Sequence, residues 1–204
     1  LLEHMLFKAS PKHPQVWAEF TKRGLAANGS TTFDRTNYTA SFSADEANLN
    51  WYIGWLADAM VNSFIARKDL DTEMTVVRNE MERGENSPGR VLVQQVMSTM
   101  YWWHNYGKST IGARADVENV DIGRLQAFYR QYYQPDNATL IVAGRFDAAK
   151  TLAWIAESFG PIARPQRTLR GTYTLDPVQD GERSVTVRRV GGAPLLYVAH
   201  HVPP

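Results

Sequence analysis

The chain has 204 residues, of which 44% are hydrophobic and 21% charged, and its 22 basic and 21 acidic residues give a formal net charge of +1. This is an ordinary globular composition, and the balanced charge gives no reason to expect a nucleic acid as partner. Because cysteine is absent, disulfides, thiolate zinc sites and iron–sulfur clusters are excluded. No apolar run approaches the roughly 18 residues of a membrane helix, so we expect no membrane span.

The first part of the chain predicts two helices followed by a strand. Apolar residues predict the later part of a buried helix over residues 1–8. A short second helix is predicted over residues 14–22, ended by Gly24. Apolar and small polar side chains then alternate over residues 38–42, which is the period of a strand.

The middle of the chain predicts a series of helices interrupted by one strand. A capping box at residues 43–46 opens a helix that we expect to reach Ala66. A loop is expected over residues 107–119, and a β-rich run over residues 138–144 predicts a buried strand. The remaining helices, which share apolar residues at helical spacing, are predicted from Asp69 or Asp71 to Glu85, over 91–102, over 121–133, and from an Asp147 cap to Gly160.

The last part of the chain predicts a linker and two strands. Arg, Pro, Thr and Gly dominate residues 162–179, and residues 184–190 and 195–201 have the composition of strands. We therefore expect a first domain over residues 1–165, and a linker with the opening strands of the next domain over residues 166–204. The element order predicts an α+β fold, with a mixed or antiparallel sheet covered by several helices.

Glu3 and His4 are the first residues that could carry chemistry. Positions i and i+4 share one helix face, so a histidine directly before Leu1 would lie beside His4 and next to Glu3. Two imidazoles and a carboxylate in this inverted pattern, His-x-x-Glu-His, can hold zinc and activate water. The same pair also fits the surface of an amphipathic helix, although the apolar residues around it favour burial, where polar groups need a partner.

A further zinc ligand would have to come from elsewhere, and the acidic helix that ends at Glu85 offers carboxylates. Glu73 and Glu80 are two helical turns apart and so share one face of this helix. A solvated acidic face gives the same pattern. The spacing alone leaves both interpretations open.

Four segments of the chain carry motifs that belong together. Leu-Leu-Glu-His-Met-Leu-Phe-Lys opens the chain, and Glu80 follows His4 by 76 positions in a Glu-x6-Glu pattern. Residues 28–38 read Asn-Gly-Ser-Thr-Thr-Phe-Asp-Arg-Thr-Asn-Tyr, and Tyr-x-Pro-x-Asn-Ala leads into the strand predicted over residues 138–144. Together these segments resemble the pitrilysin/insulinase family of zinc metallopeptidases, which includes the mitochondrial processing peptidases and many bacterial periplasmic or secreted proteins. The family's strand reads Asn-Ala-x-Thr-x-x-acid-x-Thr-x-Tyr, so this chain departs from it at Gly29.

The resemblance implies a processing-peptidase-like metallohydrolase domain and a role for each matched residue. Glu3 would be the general base that activates water. His4 and Glu80 would be two of three protein ligands of one zinc ion. Glu73 would be a carboxylate that orients a ligand histidine or the water.

The resemblance also implies how a substrate is held. Asn28 and Gly29 would lie on a strand that pairs with the backbone of a peptide substrate. Further substrate-binding residues would come from a C-terminal half or a partner subunit. For a bacterial homologue, a periplasmic or secreted location is favoured.

The first zinc histidine of the motif would precede Leu1. We therefore expect this chain to be an inactive fragment of a zinc endopeptidase. The alternative is a non-catalytic homologue that acts as a scaffold or partner subunit. The presence of Glu3, His4, Glu73 and Glu80 together favours the peptidase, because a decayed member has no physical reason to keep all four.

Overall fold

The structure, a computed structural model, describes residues 1–191 and 193–202. These residues form helices and one antiparallel hairpin, which confirms the predicted α+β class. The strands are β1 (Ala26–Thr31) and β2 (Thr36–Ser41). The helices are α1 (Leu2–Leu6), α2 (Val16–Arg23), α3 (Glu46–Asn62), α4 (Arg67–Glu85), α5 (Pro88–Met100), α6 (Arg114–Glu118), α7 (Ile122–Tyr132) and α8 (Ala148–Phe159).

The chain divides into two compact units. The first unit contains α1, α2, both strands, α3, the start of α4, α7 and α8; its ranges are Leu1–Thr31, Arg35–Glu73 and Val120–Arg170. The second unit contains the rest of α4, α5 and α6; its ranges are Thr32–Asp34, Met74–Asn119 and Gly171–Pro204. The domain boundary expected near residue 165 stays a prediction. Within the described ranges, no helix combines the length and apolarity needed to cross a membrane.

An aromatic core in the first unit fixes helix α1. Trp55 of α3 is fully buried, and its ring centroid lies 4.9 Å from that of Phe20 and 5.8 Å from that of Phe7. Met5 of α1 is also fully buried. A helix as short as α1 is not stable alone in water. Its conformation therefore depends on this packing.

Strands β1 and β2 form a hairpin whose register places Asn28 opposite Thr39, Gly29 opposite Tyr38, and Thr31 at the turn end. The strand predicted over residues 38–42 is thus confirmed over all but its last residue. Among residues 1–191 and 193–202, β2 is the single strand that pairs with β1.

Several helix ends lie where local sequence signals predict them. Helix α2 ends at Gly24, which adopts the left-handed conformation with φ of 65°. Helices α7 and α8 begin after Asp121 and Asp147, and each carboxylate accepts a hydrogen bond from a first-turn backbone N–H. These signals depend only on neighbouring residues.

Other helix starts differ from the predictions. The N-cap of α3 is Asp45, whose carboxylate accepts from the Asn48 N–H at 2.7 Å, so the helix opens within the predicted capping box rather than at its first residue. Helix α4 begins earlier than the predicted aspartates, at Arg67. Helix α5 begins at Pro88, because proline needs no hydrogen bond in the first turn.

Helix α3 ends at Asn62 and does not reach Ala66. The backbone N–H of Ser63 donates to the hydroxyl of Tyr129 at 2.8 Å, and Ile65 has a positive φ of 44°. This tertiary hydrogen bond replaces one that would continue the helix. Burial raises the pKa of Tyr129 to about 12, so its hydroxyl stays protonated at neutral pH.

The strands predicted over residues 138–144, 184–190 and 195–201 do not form in the described part of the chain. Ala138 has an extended backbone, with φ of −138° and ψ of 153°. A strand, however, needs a neighbour with which to exchange backbone hydrogen bonds, and no described residue pairs with these segments. The expected loop over residues 107–119 is also wrong in part, because it contains α6.

Candidate active site

One carboxylate, that of Glu73 on α4, holds two side chains of the first segment. Its Oε2 lies 2.9 Å from Nδ1 of His4, and its Oε1 lies 2.5 Å from Nζ of Lys8. His4 and Lys8 are four residues apart, so both project toward the same side of the segment. The structure therefore brings two of the predicted site residues, His4 and Glu73, into direct contact.

The environment of Glu73 keeps its carboxylate ionised. Burial alone would raise the pKa of Glu73, but hydrogen bonds from Lys8 and His4 and the positive charge of Lys8 hold the pKa below its usual range. An ionised acceptor at Nδ1 favours the tautomer of His4 that carries its proton there. Nε2 is then the ring nitrogen that would bind a metal, an arrangement typical of metal-ligating histidines.

The carboxylate of Glu3 lies against strand β1. The hydroxyl of Thr31 donates a hydrogen bond to its Oε2. A Cβ added at Gly29 would lie 2.8 Å from its Oε1. Thr31 was not predicted as a site residue, and its place in the strand motif of residues 28–38 is the one sequence signal for it.

Asn28 and Gly29, the predicted substrate-binding residues, are neighbours on β1. The N–H of Gly29 donates to Oδ1 of Asn28 at 2.9 Å, and the backbone carbonyl of Asn28 accepts from Oγ1 of Thr39 at 3.4 Å. The Gly29 amide is thus bonded to a side chain that can rotate away. A peptide that adds to this strand could take over that donor.

Two half-buried tyrosines, Tyr38 and Tyr133, lie close enough to Glu3 to feel its charge. The hydroxyls of Tyr38 and Tyr133 are 2.9 Å apart. Burial raises the pKa of both, and the negative charge of Glu3 raises it further. Both hydroxyls therefore stay protonated at neutral pH. Sequence reasoning matched both residues to motifs but did not predict their contact.

Glu80 lies on α4, two helical turns beyond Glu73, and is exposed in the second unit. Over residues 1–191 and 193–202, no group of three or more His, Cys, Asp and Glu side chains is arranged to hold a metal ion. Imidazole and carboxylate are nevertheless the groups that bind zinc in catalytic sites. The contact of Glu73 with Nδ1 of His4 fixes the orientation of the imidazole ring, as carboxylates do for histidines that bind zinc. The residues present therefore fit zinc chemically, although they form no complete ligand set.

The chain is similar to proteins of one peptidase family. Residues 1–114 match the insulinase family, peptidase family M16, and residues 119–204 match the peptidase M16 inactive domain. The zinc protease PqqE of Helicobacter pylori is 29% identical over 195 residues, which cover 94% of this chain and 44% of that protein.

Two crystal structures match as well. That of a protease from Helicobacter pylori has a TM-score of 0.83 at 28% identity, covering 89% of this chain and 44% of that one. That of the first half of the periplasmic protease PqqL from Escherichia coli shares the fold, with a TM-score of 0.74 at 22% identity, covering 84% of this chain and 38% of that one.

The chain spans less than half the length of each of these proteins. The first family match covers more than half of the chain and includes Glu3, His4, Glu73 and Glu80. The family resemblance predicted from the sequence motifs is thus confirmed, and the chain belongs to the insulinase family of peptidases, family M16.

Proposed function

We propose that this chain is part of a longer zinc-dependent endopeptidase and is inactive by itself. The observation that carries the proposal is the 2.9 Å contact between Oε2 of Glu73 and Nδ1 of His4. A carboxylate that fixes the imidazole in this way presents Nε2 for zinc. The name of the relative PqqE, a zinc protease, supports the same activity.

Each residue has a distinct role in the proposed mechanism. His4 and Glu80 would hold zinc together with a histidine that precedes Leu1. Zinc, when bound, supplies a Lewis acid that acidifies water and polarises a carbonyl. Glu3 accepts a proton from the attacking water and returns it to the leaving amine. Glu73 holds the ring of His4 in the orientation that zinc binding needs.

The peptide substrate would bind along β1. In this proposal a substrate carbonyl replaces Oδ1 of Asn28 as the acceptor of the Gly29 N–H, which extends the hairpin by one strand. Further substrate contacts would come from a C-terminal half or a partner subunit. The PqqL structure, described as a first half, supports such an arrangement.

We also propose that the protein acts in the periplasm or is secreted. The support is the name of the Escherichia coli neighbour, a periplasmic protease. Fractionation of the source cells, with immunodetection of the full-length protein, tests this. Detection in the cytoplasm alone would contradict it.

A non-catalytic scaffold or partner subunit is the second candidate function. Such a protein would keep the fold of the family without binding zinc. The residue before Leu1 in the full-length protein separates the two candidates. A histidine there supports the peptidase, and any other residue supports the scaffold.

The proposed roles can be tested by three glutamine substitutions in the full-length protein, with peptide hydrolysis and zinc content both measured. Glu3→Gln should abolish hydrolysis and keep zinc, because an amide cannot accept the proton. Glu80→Gln should weaken zinc binding, because a neutral ligand replaces an anionic one. Glu73→Gln should lower activity by about 10- to 100-fold, as other changes behind a metal ligand do.

Glu82→Gln is the matched control, because Glu82 lies on the same helix and its carboxylate is 3.7 Å from Arg114. It should change neither readout. If Glu3→Gln lost zinc while Glu80→Gln kept zinc and activity, the assigned roles would be wrong. If the unmodified full-length protein neither bound zinc nor hydrolysed any peptide, the scaffold would be the better interpretation.

A further inference from the structure

Strand β1 holds one carboxylate oxygen of Glu3 by a hydrogen bond and lies close to the other. Thr31 donates its hydroxyl hydrogen to Oε2, while Oε1 lies over the backbone of Gly29. An added Cβ at Gly29 would lie 2.8 Å from Oε1, 3.0 Å from Cγ and 3.1 Å from Cδ of Glu3. The end of the Glu3 side chain therefore lies close to where a Cβ at position 29 would be, and the alanine of the family motif would require this flexible end to shift.

Thr31 is itself held in a defined position. It pairs with Thr36 across the hairpin, at the end of β1 that leads into the turn. Its β-branched side chain has few rotamers on a strand. Glu3, in contrast, has a long side chain that loses considerable rotamer freedom when it is fixed. A hydrogen bond from the stiffer residue thus determines where the flexible carboxylate lies.

We propose that Thr31 is a positioning residue for the general base Glu3. The proposal rests on the function proposed above for Glu3. With Oε2 bonded to Thr31, Oε1 on the Gly29 side is the oxygen that accepts the proton of the attacking water. Thr31 does not touch the reacting atoms and acts only through Glu3.

The test uses the full-length protein and three variants, with kcat, KM, zinc content and a zinc-free crystal structure measured for each. Thr31→Val removes the hydroxyl and keeps the shape and strand preference of the side chain. It should lower kcat by about 10-fold, the smaller loss typical of supporting residues, with KM and zinc content unchanged. Thr31→Ser should restore most of kcat, because it retains the donor.

Ser30→Ala is the matched control. Ser30 neighbours Thr31 on β1 but faces the other side of the strand, where its hydroxyl accepts from Asn37 at 3.4 Å. This variant should keep kcat, and Glu3 should keep its position. The crystal structure of Thr31→Val should show the Glu3 carboxylate displaced from β1, which is a readout independent of activity.

If Glu3→Gln is inactive but Thr31→Val keeps full kcat and an unmoved Glu3 carboxylate, the positioning role is wrong and the function of Glu3 stands. If Glu3→Gln is itself fully active, the proposed function fails first.

Discussion

Away from the candidate site, the buried carboxylate of Asp58 ties the turn after α1 to helix α3. Oδ2 accepts from the hydroxyl of Ser10 at 2.6 Å and lies 3.0 Å from Nδ1 of His13, while Oδ1 accepts from the side-chain amide of Asn62 at 2.9 Å. Burial alone would raise the pKa of Asp58, but these hydrogen bonds and one from the Lys12 N–H hold the pKa below its usual range. Because the turn follows α1 directly, this cluster also supports the segment that carries Glu3.

We expect Asp58→Asn to lower the free energy of unfolding by about 2 kcal/mol, since it weakens several hydrogen bonds to a buried charged group. Urea denaturation at pH 7 measures the change. The control is Asp71→Asn, which breaks an exposed ion pair with Arg67 at 2.8 Å and should cost at most about 0.5 kcal/mol. Equal losses in the two variants would show that the Asp58 cluster contributes little.

The same carboxylate predicts a pH dependence. The pKa of Asp58 is lower in the folded protein than its value of about 3.9 in an unfolded chain, so the unfolded state binds the proton more readily. Its stabilising contribution is therefore present above about pH 4 and is lost as the pH falls through the folded-state pKa. Urea denaturation from pH 7 to pH 3 should show the wild type and Asp58→Asn converging at the acid end. A difference that stays constant over this range would contradict the prediction.

At the scale of elements, the C-terminus of α2 gives a matched pair of glycine substitutions. Gly24 has a φ of 65°, which an alanine side chain disfavours, so Gly24→Ala should lower the free energy of unfolding by about 1 kcal/mol. Gly54 lies inside α3, and nothing comes within 4 Å of an added Cβ there. Gly54→Ala should therefore raise the free energy of unfolding by about 0.5 to 1 kcal/mol. Thermal or urea denaturation that gave both variants the same sign would show that backbone conformation does not decide the outcome.

Element boundaries that depend on neighbouring residues were predicted better than those that depend on residues far along the chain. The end of α2 at Gly24 and the cap of α8 at Asp147 depend on adjacent residues and agree with the sequence. The end of α3 depends on Tyr129, far along the chain, and could not be read from the residues around Asn62. The prediction of a strand over residues 138–144 was wrong for the same reason. A strand must pair with a partner strand, and the periodicity of one segment does not specify that partner.

The candidate site shows the same division. The spacing of Glu73 and Glu80 follows from helical geometry, but only the family resemblance linked Glu73 to His4, which is 69 positions away and in hydrogen-bond contact. The contact of Thr31 with Glu3 was missed, since threonine in a strand is common and has no signature of its own. Its detection required the position of α1 beside β1.

At the scale of the whole molecule, we expect this chain to bind zinc weakly or not at all. Catalytic zinc sites use three protein ligands, and residues 1–191 and 193–202 offer no such group. Isothermal titration calorimetry and elemental analysis of the purified chain measure this. Tight, stoichiometric zinc that is lost in a His4→Ala variant would show the expectation to be wrong.

The matched control for zinc binding is the same chain extended by a helical turn that places a histidine directly before Leu1. That histidine would lie one turn from His4 on the same face. The extended chain should bind zinc more tightly than the chain as it stands, and an alanine in place of the added histidine should remove the gain. No gain from the histidine would contradict the inverted-motif assignment.

In helix α1 the proposed catalytic residues lie between buried core residues, and this arrangement affects local unfolding. Glu3 and His4 lie between Leu2 and Met5, both of which are buried. Unfolding this helix would expose Leu2 and Met5 to solvent, so local fraying of the helix costs considerable free energy. We therefore expect the backbone amide of Met5, which bonds to the Leu1 carbonyl at 3.1 Å, to exchange its hydrogen as slowly as the amides of α3. Glu3 and His4 would then lose their positions only when the whole surrounding unit unfolds.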